Sequence, residues 1–106
     1  MTVTHAAAPR PSTSLLTDMY ELTMLQGALR SGTAGRRSVF ELFGRRLPAS
    51  RRYGVVAGTG RLLDAVEAFT FTDEQIDFLH RTRVVDDTTL DYLRDYRFSG
   101  TIRGYA

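Results

Sequence analysis

The chain has no cysteine, no tryptophan and no lysine, and only two histidines and three prolines in 106 residues. Without cysteine there is no disulfide framework, no thiolate nucleophile and no Cys-based zinc site. With His5 and His80 as the only histidines, no Ser/His/Asp or Cys/His arrangement can be argued. No apolar run approaches the roughly 18 residues that a membrane span requires. The first 20 residues hold no apolar signal segment, so a cytoplasmic protein is expected. The length is that of one small domain with a modest core.

What is present is unevenly charged. All 14 basic residues are Arg. Residues 30–61 hold eight Arg against Glu41 alone, a net of +7, whereas residues 62–96 hold nine acids against three Arg, a net of −6. A uniformly basic chain suggests nucleic acid. A chain divided this way suggests an anion site, or an interface where the halves neutralise each other.

Residues 1–13 hold two prolines and no periodicity, and read as a disordered tail; His5 lies in it. A helix is predicted to begin near Ser14–Asp18, with Asp18 and Glu21 forming a capping box. Its apolar stripe is Leu15, Met19, Leu22, Leu25 and Leu29, with Tyr20, Met24, Gly27 and Ala28 on a second face and Gln26 pointing away from the core. Ser31–Gly35 reads as a turn. Ser38–Gly44 and Tyr53–Ala57 read as two strands joined by the loop Arg45–Arg52. A helix over Arg61–Phe69 follows, with Leu62, Leu63, Val66 and Phe69 inward. The next helix starts at Thr72 with Gln75 closing a capping box and Phe71 stapled to Ile76. A third covers about Thr88–Tyr96, with Leu90 and Leu93 inward. Residues 97–106 alternate as a final strand that stops while still in progress. The expected class is therefore α/β: an N-terminal helix, two strands, three helices and a last strand.

Three features invite chemistry. Four Arg in the loop following the first strand could grip a phosphate bidentately, or could pair with the acids of 62–96. Gly58-Thr59-Gly60 precedes a helix and could cradle an anion, but its spacing fits no phosphate-binding fingerprint, and a plain strand-to-helix turn is the favoured reading. Tyr20, off the buried stripe, could stack on a flat ring or pack beside the core. The acids at helix starts are explained by the helix dipole, so no metal site is read from them.

Leu16-Thr17-Asp18-Met19-Tyr20-Glu21-Leu22-Thr23-Met24 resembles the TD-x-Y-x-LTM signature of the nicotinate phosphoribosyltransferase family. Phe40–Pro48 is similar to that family's FELFxRxxP strand and loop, and Tyr53–Leu63 to the segment after it. The resemblance covers about residues 14–106, which would make them an incomplete N-terminal domain. It implies condensation of nicotinate with 5-phosphoribosyl 1-pyrophosphate, coupled to ATP hydrolysis with Mg2+, in a homodimer that serves NAD salvage. Tyr20 matches the residue that stacks on the pyridine ring in the neighbouring subunit's site. Arg45 matches the phosphate-facing Arg, with Arg46 beside it, and Thr17 and Asp18 take orienting and capping roles. The family's α/β barrel and its phosphorylated histidine would lie beyond position 106. The chain is thus expected to be a fragment that is inactive alone and has neither nucleic acid nor membrane as a partner. The alternative from another class is a free-standing, non-catalytic α/β module that binds a protein or an anion. A small Arg-rich nucleic-acid binder is the third reading, opposed by the acidic half.

Overall fold

Polar caps start three of the four short helices. A computed structural model describes residues 12–105, with α1 at Met19–Ser31, α2 at Thr59–Glu67, α3 at Asp73–Arg81 and α4 at Asp87–Asp95. Asp18 caps α1, and its N–H donates to Glu21 Oε2 at 3.3 Å. The helix stops at Gly32, whose φ of 76° lets Thr33 N–H return to the Ala28 carbonyl at 2.8 Å. At α3 the capping box closes in both directions: Thr72 Oγ1 accepts from Gln75 N–H at 3.2 Å, and Gln75 Oε1 accepts from Thr72 N–H at 2.9 Å. Phe71 and Ile76, flanking that box, are both buried. Asp86 caps α4 through Oδ1, which accepts from Thr89 N–H at 2.9 Å and Thr89 Oγ1 at 2.6 Å.

The core is a helical hairpin. Ile76 and Leu79 of α3, Val85 of the connection and Leu90 and Leu93 of α4 are buried together with Phe71. Arg83, at a φ of 54°, makes the turn between the two helices, and Val84 N–H reaches the Leu79 carbonyl at 3.3 Å. α1 packs against α4 and contributes one buried side chain, Leu22, with Leu25 and Leu15 partly buried against the same cluster.

Three expectations are overturned here. Among the described residues there is no strand, so the architecture is all-α and not α/β. Ser38–Gly44, Tyr53–Ala57 and the described part of 97–106 run without regular structure, and Val39, Phe40 and Leu42 are more than nine-tenths exposed. β-branched and aromatic residues report a fit to a pleated, half-buried surface, but a strand also needs a neighbour for its N–H and C=O groups. The loop between the two segments provides a turn at Pro48–Arg51 and no ladder. Secondly, α2 buries none of its residues, and Leu62 and Leu63 are nearly half exposed where an inward face was expected. No other described helix packs on α2; of the four residues expected inward, Val66 is half-buried and Phe69, just past the helix end, packs against the hairpin core and edge-on to Phe71. Thirdly, Met19, about 60° round the helix from buried Leu22, is mostly exposed where the buried stripe was expected.

The radius of gyration is 17.6 Å, against about 13 Å for a compact domain of this length. The tail expected at 1–13, with His5, falls mostly on residues 1–11, outside the described residues. Ser12 is bonded to the Thr70 carbonyl.

Candidate functional site

Tyr20 lies in the first turn of α1. Two residues along a helix correspond to about 200° of rotation, so Tyr20 faces away from the Leu22 side that enters the core. It is 57% exposed, and among the described residues its ring has no aromatic neighbour and its hydroxyl no hydrogen bond. Met24, one turn on, is 66% exposed on the same row, and Gly27 continues that face with open space where a Cβ would stand. Leu16, just before the helix, is exposed as well. The result is a rigidly backed apolar face with an aromatic ring at one end. Such a face suits a flat ring or another chain.

Asp18 is the N-cap that starts this helix, and exposed Thr17 precedes it. Asp18 sets where α1 begins and so sets the register of Tyr20 two residues later.

Arg45 and Arg46 lie in the extended segment, both exposed. Among the described residues neither has an ion-pair partner. Among the described residues, the idea that the basic stretch is neutralised by the acids of 62–96 holds at the Arg30–Asp86 pair, at 2.9 Å. The other acid–base pairs stay inside the acidic helices: Arg81 with Asp77, Arg94 with Asp91, and His80 Nδ1 at 3.4 Å from Asp87 Oδ1. A shallow depression is lined by Ser50, Arg51, Arg52, Tyr53, Gly54 and Val55. The loop thus presents unpaired guanidinium groups to solvent, an arrangement ready for phosphate. Nothing among the described residues brings them into one closed site with Tyr20. At Gly58, φ is 84°, which marks the turn into α2.

Sequence reasoning missed Gln26, Arg30 and Ser14. Gln26 was expected to point away from the core, yet its Oε1 accepts the Asp86 N–H at 2.6 Å. Ser14, almost fully buried, donates from Oγ to Gln75 Oε1 at 2.8 Å. The i, i+4 row Leu22, Gln26, Arg30 was the available signal, one apolar residue continued by two long polar ones.

No described group of three or more His, Asp or Glu side chains comes together to hold a metal ion. No described helix is long and apolar enough to cross a membrane.

Comparison with known proteins bears on these features directly. Residues 15–106 match the family described as nicotinate phosphoribosyltransferase (NAPRTase) N-terminal domain. The chain is 56% identical over 92 residues to Nicotinate phosphoribosyltransferase pncB1 of Mycobacterium tuberculosis, covering 87% of this chain and 20% of that protein. It is 40% identical over 68 residues to the nicotinate phosphoribosyltransferase of Bacillus subtilis, covering 64% of this chain and 14% of that protein. The human nicotinate phosphoribosyltransferase is 40% identical over 73 residues, covering 69% of this chain and 13% of that protein. The chain therefore spans a fifth or less of the length of these relatives. No solved structure matches it. With the exposed Tyr20 at the start of α1 and the unpaired Arg loop both inside the matched region, the chain belongs to the nicotinate phosphoribosyltransferase N-terminal domain family.

Proposed function

We propose that this chain supplies the ring-stacking and phosphate-facing elements of a nicotinate phosphoribosyltransferase. The reaction joins the pyridine nitrogen of nicotinate to C1 of 5-phosphoribosyl 1-pyrophosphate, and pyrophosphate leaves. Two tasks fall to residues of this kind. A flat aromatic acid must be held against the sugar carbon, and charge on the leaving phosphates must be matched. Tyr20 stacks on the pyridine ring, in the site of a neighbouring subunit of a homodimer. Arg45, with Arg46 beside it, faces phosphate oxygens. Thr17 and Asp18 orient the helix that carries Tyr20. The observation that carries this reading is Tyr20 itself, an exposed aromatic with no partner in its own domain at the start of a well-capped helix.

ATP and Mg2+ belong to the reaction of the longer enzyme. The described residues offer no acidic cluster to hold the ion. The rest of the site would come from sequence outside these residues, so the 106-residue chain alone is expected to form no nicotinate mononucleotide.

The reading is tested in a chimera in which residues 15–106 replace the matched segment of the Mycobacterium tuberculosis relative. Tyr20→Ala should raise the nicotinate KM roughly tenfold, and Tyr20→Phe should retain most affinity. Arg45→Ala should raise the KM for 5-phosphoribosyl 1-pyrophosphate and leave that for nicotinate unchanged. An unchanged nicotinate KM in Tyr20→Ala would remove Tyr20 from the site.

A further inference from the structure

α1 is weakly held by apolar contact. Leu22 is the one buried residue of its 13, with Leu25 half-buried beside it, and the rest of the core lies in Phe71–Leu93. So short an apolar seam does little to stop the helix rolling about its axis. Two polar latches prevent this, one at each end.

The front latch lies just ahead of α1. Ser14 Oγ donates to Gln75 Oε1 at 2.8 Å, and Gln75 Nε2 donates to the Ser12 carbonyl at 3.3 Å. The rear latch lies in its last turns. Gln26 Oε1 accepts the Asp86 N–H at 2.6 Å, and Arg30 reaches Asp86 Oδ2 with Nε at 3.2 Å and Nη2 at 2.9 Å. Both latches close on a residue that is already capping another helix. Gln75 belongs to the capping box of α3, and Asp86 is the N-cap of α4. Asp86 divides its groups cleanly: Oδ1 serves Thr89, Oδ2 serves Arg30 and the backbone N–H serves Gln26.

The latch row Leu22, Gln26, Arg30 and the exposed row Tyr20, Met24 lie on opposite sides of the same helix. Any roll that breaks one displaces the other. The Arg30–Asp86 pair is exposed, and pairs of that kind contribute little to stability. What two nitrogens on one oxygen, a backbone bond and a front latch provide together is a defined rotation angle.

We propose that Ser14, Gln26 and Arg30 are positioning residues that fix the roll of α1 and thereby aim Tyr20 at its ligand. The proposal rests on the reading of Tyr20 given above. Its test uses Ser14→Ala, Gln26→Ala and Arg30→Ala, because all three leave the caps of α3 and α4 in place. In the 106-residue chain, amide hydrogen exchange should show α1 losing protection on the order of tenfold in Gln26→Ala and Arg30→Ala, while α3 and α4 keep theirs. Loss of protection in all three helices together, or in none, overturns the latches.

In the chimera, Arg30→Ala should raise the nicotinate KM roughly three- to tenfold with kcat little changed, and Arg30→Lys should restore part of the loss. The double variant Tyr20→Ala/Arg30→Ala should be no worse for nicotinate than Tyr20→Ala alone. Additive losses would mean that Arg30 acts elsewhere, and would sink the proposal while leaving Tyr20 in the site. A Tyr20→Ala chimera with unchanged nicotinate KM would overturn the proposal and the parent reading together.

Discussion

The guanidinium of Arg30 meets the carboxylate of Asp86 across 56 residues of sequence, with Nη2 2.9 Å from Oδ2. It is the one ion pair among the described residues that joins the basic stretch to the acidic one. The same carboxylate holds the first turn of α4 through Thr89. A single side chain thus links helix initiation to helix docking.

That link makes stability depend on acid. Hydrogen bonds from the Thr89 hydroxyl and then its N–H, with the Arg30 guanidinium adding to them, hold the Asp86 carboxyl below its ordinary value of 3.8 against an opposing effect of burial. A group with a lowered folded-state pKa contributes stability above its unfolded value, and that stability is lost as pH falls through the folded one. The melting temperature of the chain should therefore exceed that of Asp86→Asn near neutral pH. The difference should shrink as pH falls below about 4. A difference that stays constant down to about pH 2 would assign the effect to packing.

The glycines and their mirror image offer a second check. Gly27 sits inside α1 with helical geometry and nothing within 4 Å of an added Cβ. Gly27→Ala should stabilise the chain by about 0.5–1 kcal/mol in chemical denaturation. Arg83 shows the reverse case, a side chain at a φ of 54° where glycine is the usual occupant. Arg83→Gly should be stabilising by about 0.5 kcal/mol, since relief of left-handed strain outweighs the added freedom of the unfolded chain. A destabilised Gly27→Ala would mean that something outside the described residues approaches that face of α1.

The hairpin core is small enough that one cavity matters. Leu79 is 2% exposed and packs between α3 and α4. Leu79→Ala should cost about 2–5 kcal/mol. Against the total stability expected of a domain this size, that loss should abolish the cooperative thermal transition seen by circular dichroism. A variant that still melts cooperatively within a few degrees of the parent would place the main core elsewhere.

The helices were legible in the sequence wherever local chemistry decides them. Thr72 with Gln75, and Phe71 with Ile76, declare the start of α3 in a window of six residues. Leu90 and Leu93 mark the inner face of α4. The three expected strands were not legible as they stand, because Phe40 or Val55 states a preference and the hydrogen-bonding neighbour is not encoded beside it. α2 departs for a related reason: no other described helix packs on it, so Leu62 and Leu63 stay nearly half exposed while Phe69, past its end, joins the core. The latch residues escaped because a stripe search counts apolar side chains, whereas Gln26 and Arg30 continue the stripe by hydrogen bonding. In the candidate site, Tyr20 and Arg45 stood out through family motifs. Their exposure and lack of partners needed the three-dimensional arrangement.

Residues 36–58, without regular structure, connect α1 to α2. For a flexible connection the entropy of closure grows only with the logarithm of length, so each doubling costs about 0.6 kcal/mol. Residues could be added to or removed from this stretch with little effect on how the helices assemble. Val39, Phe40 and Leu42, exposed as they are, contribute nothing to that assembly either. The helical assembly therefore places no packing demand on these three side chains.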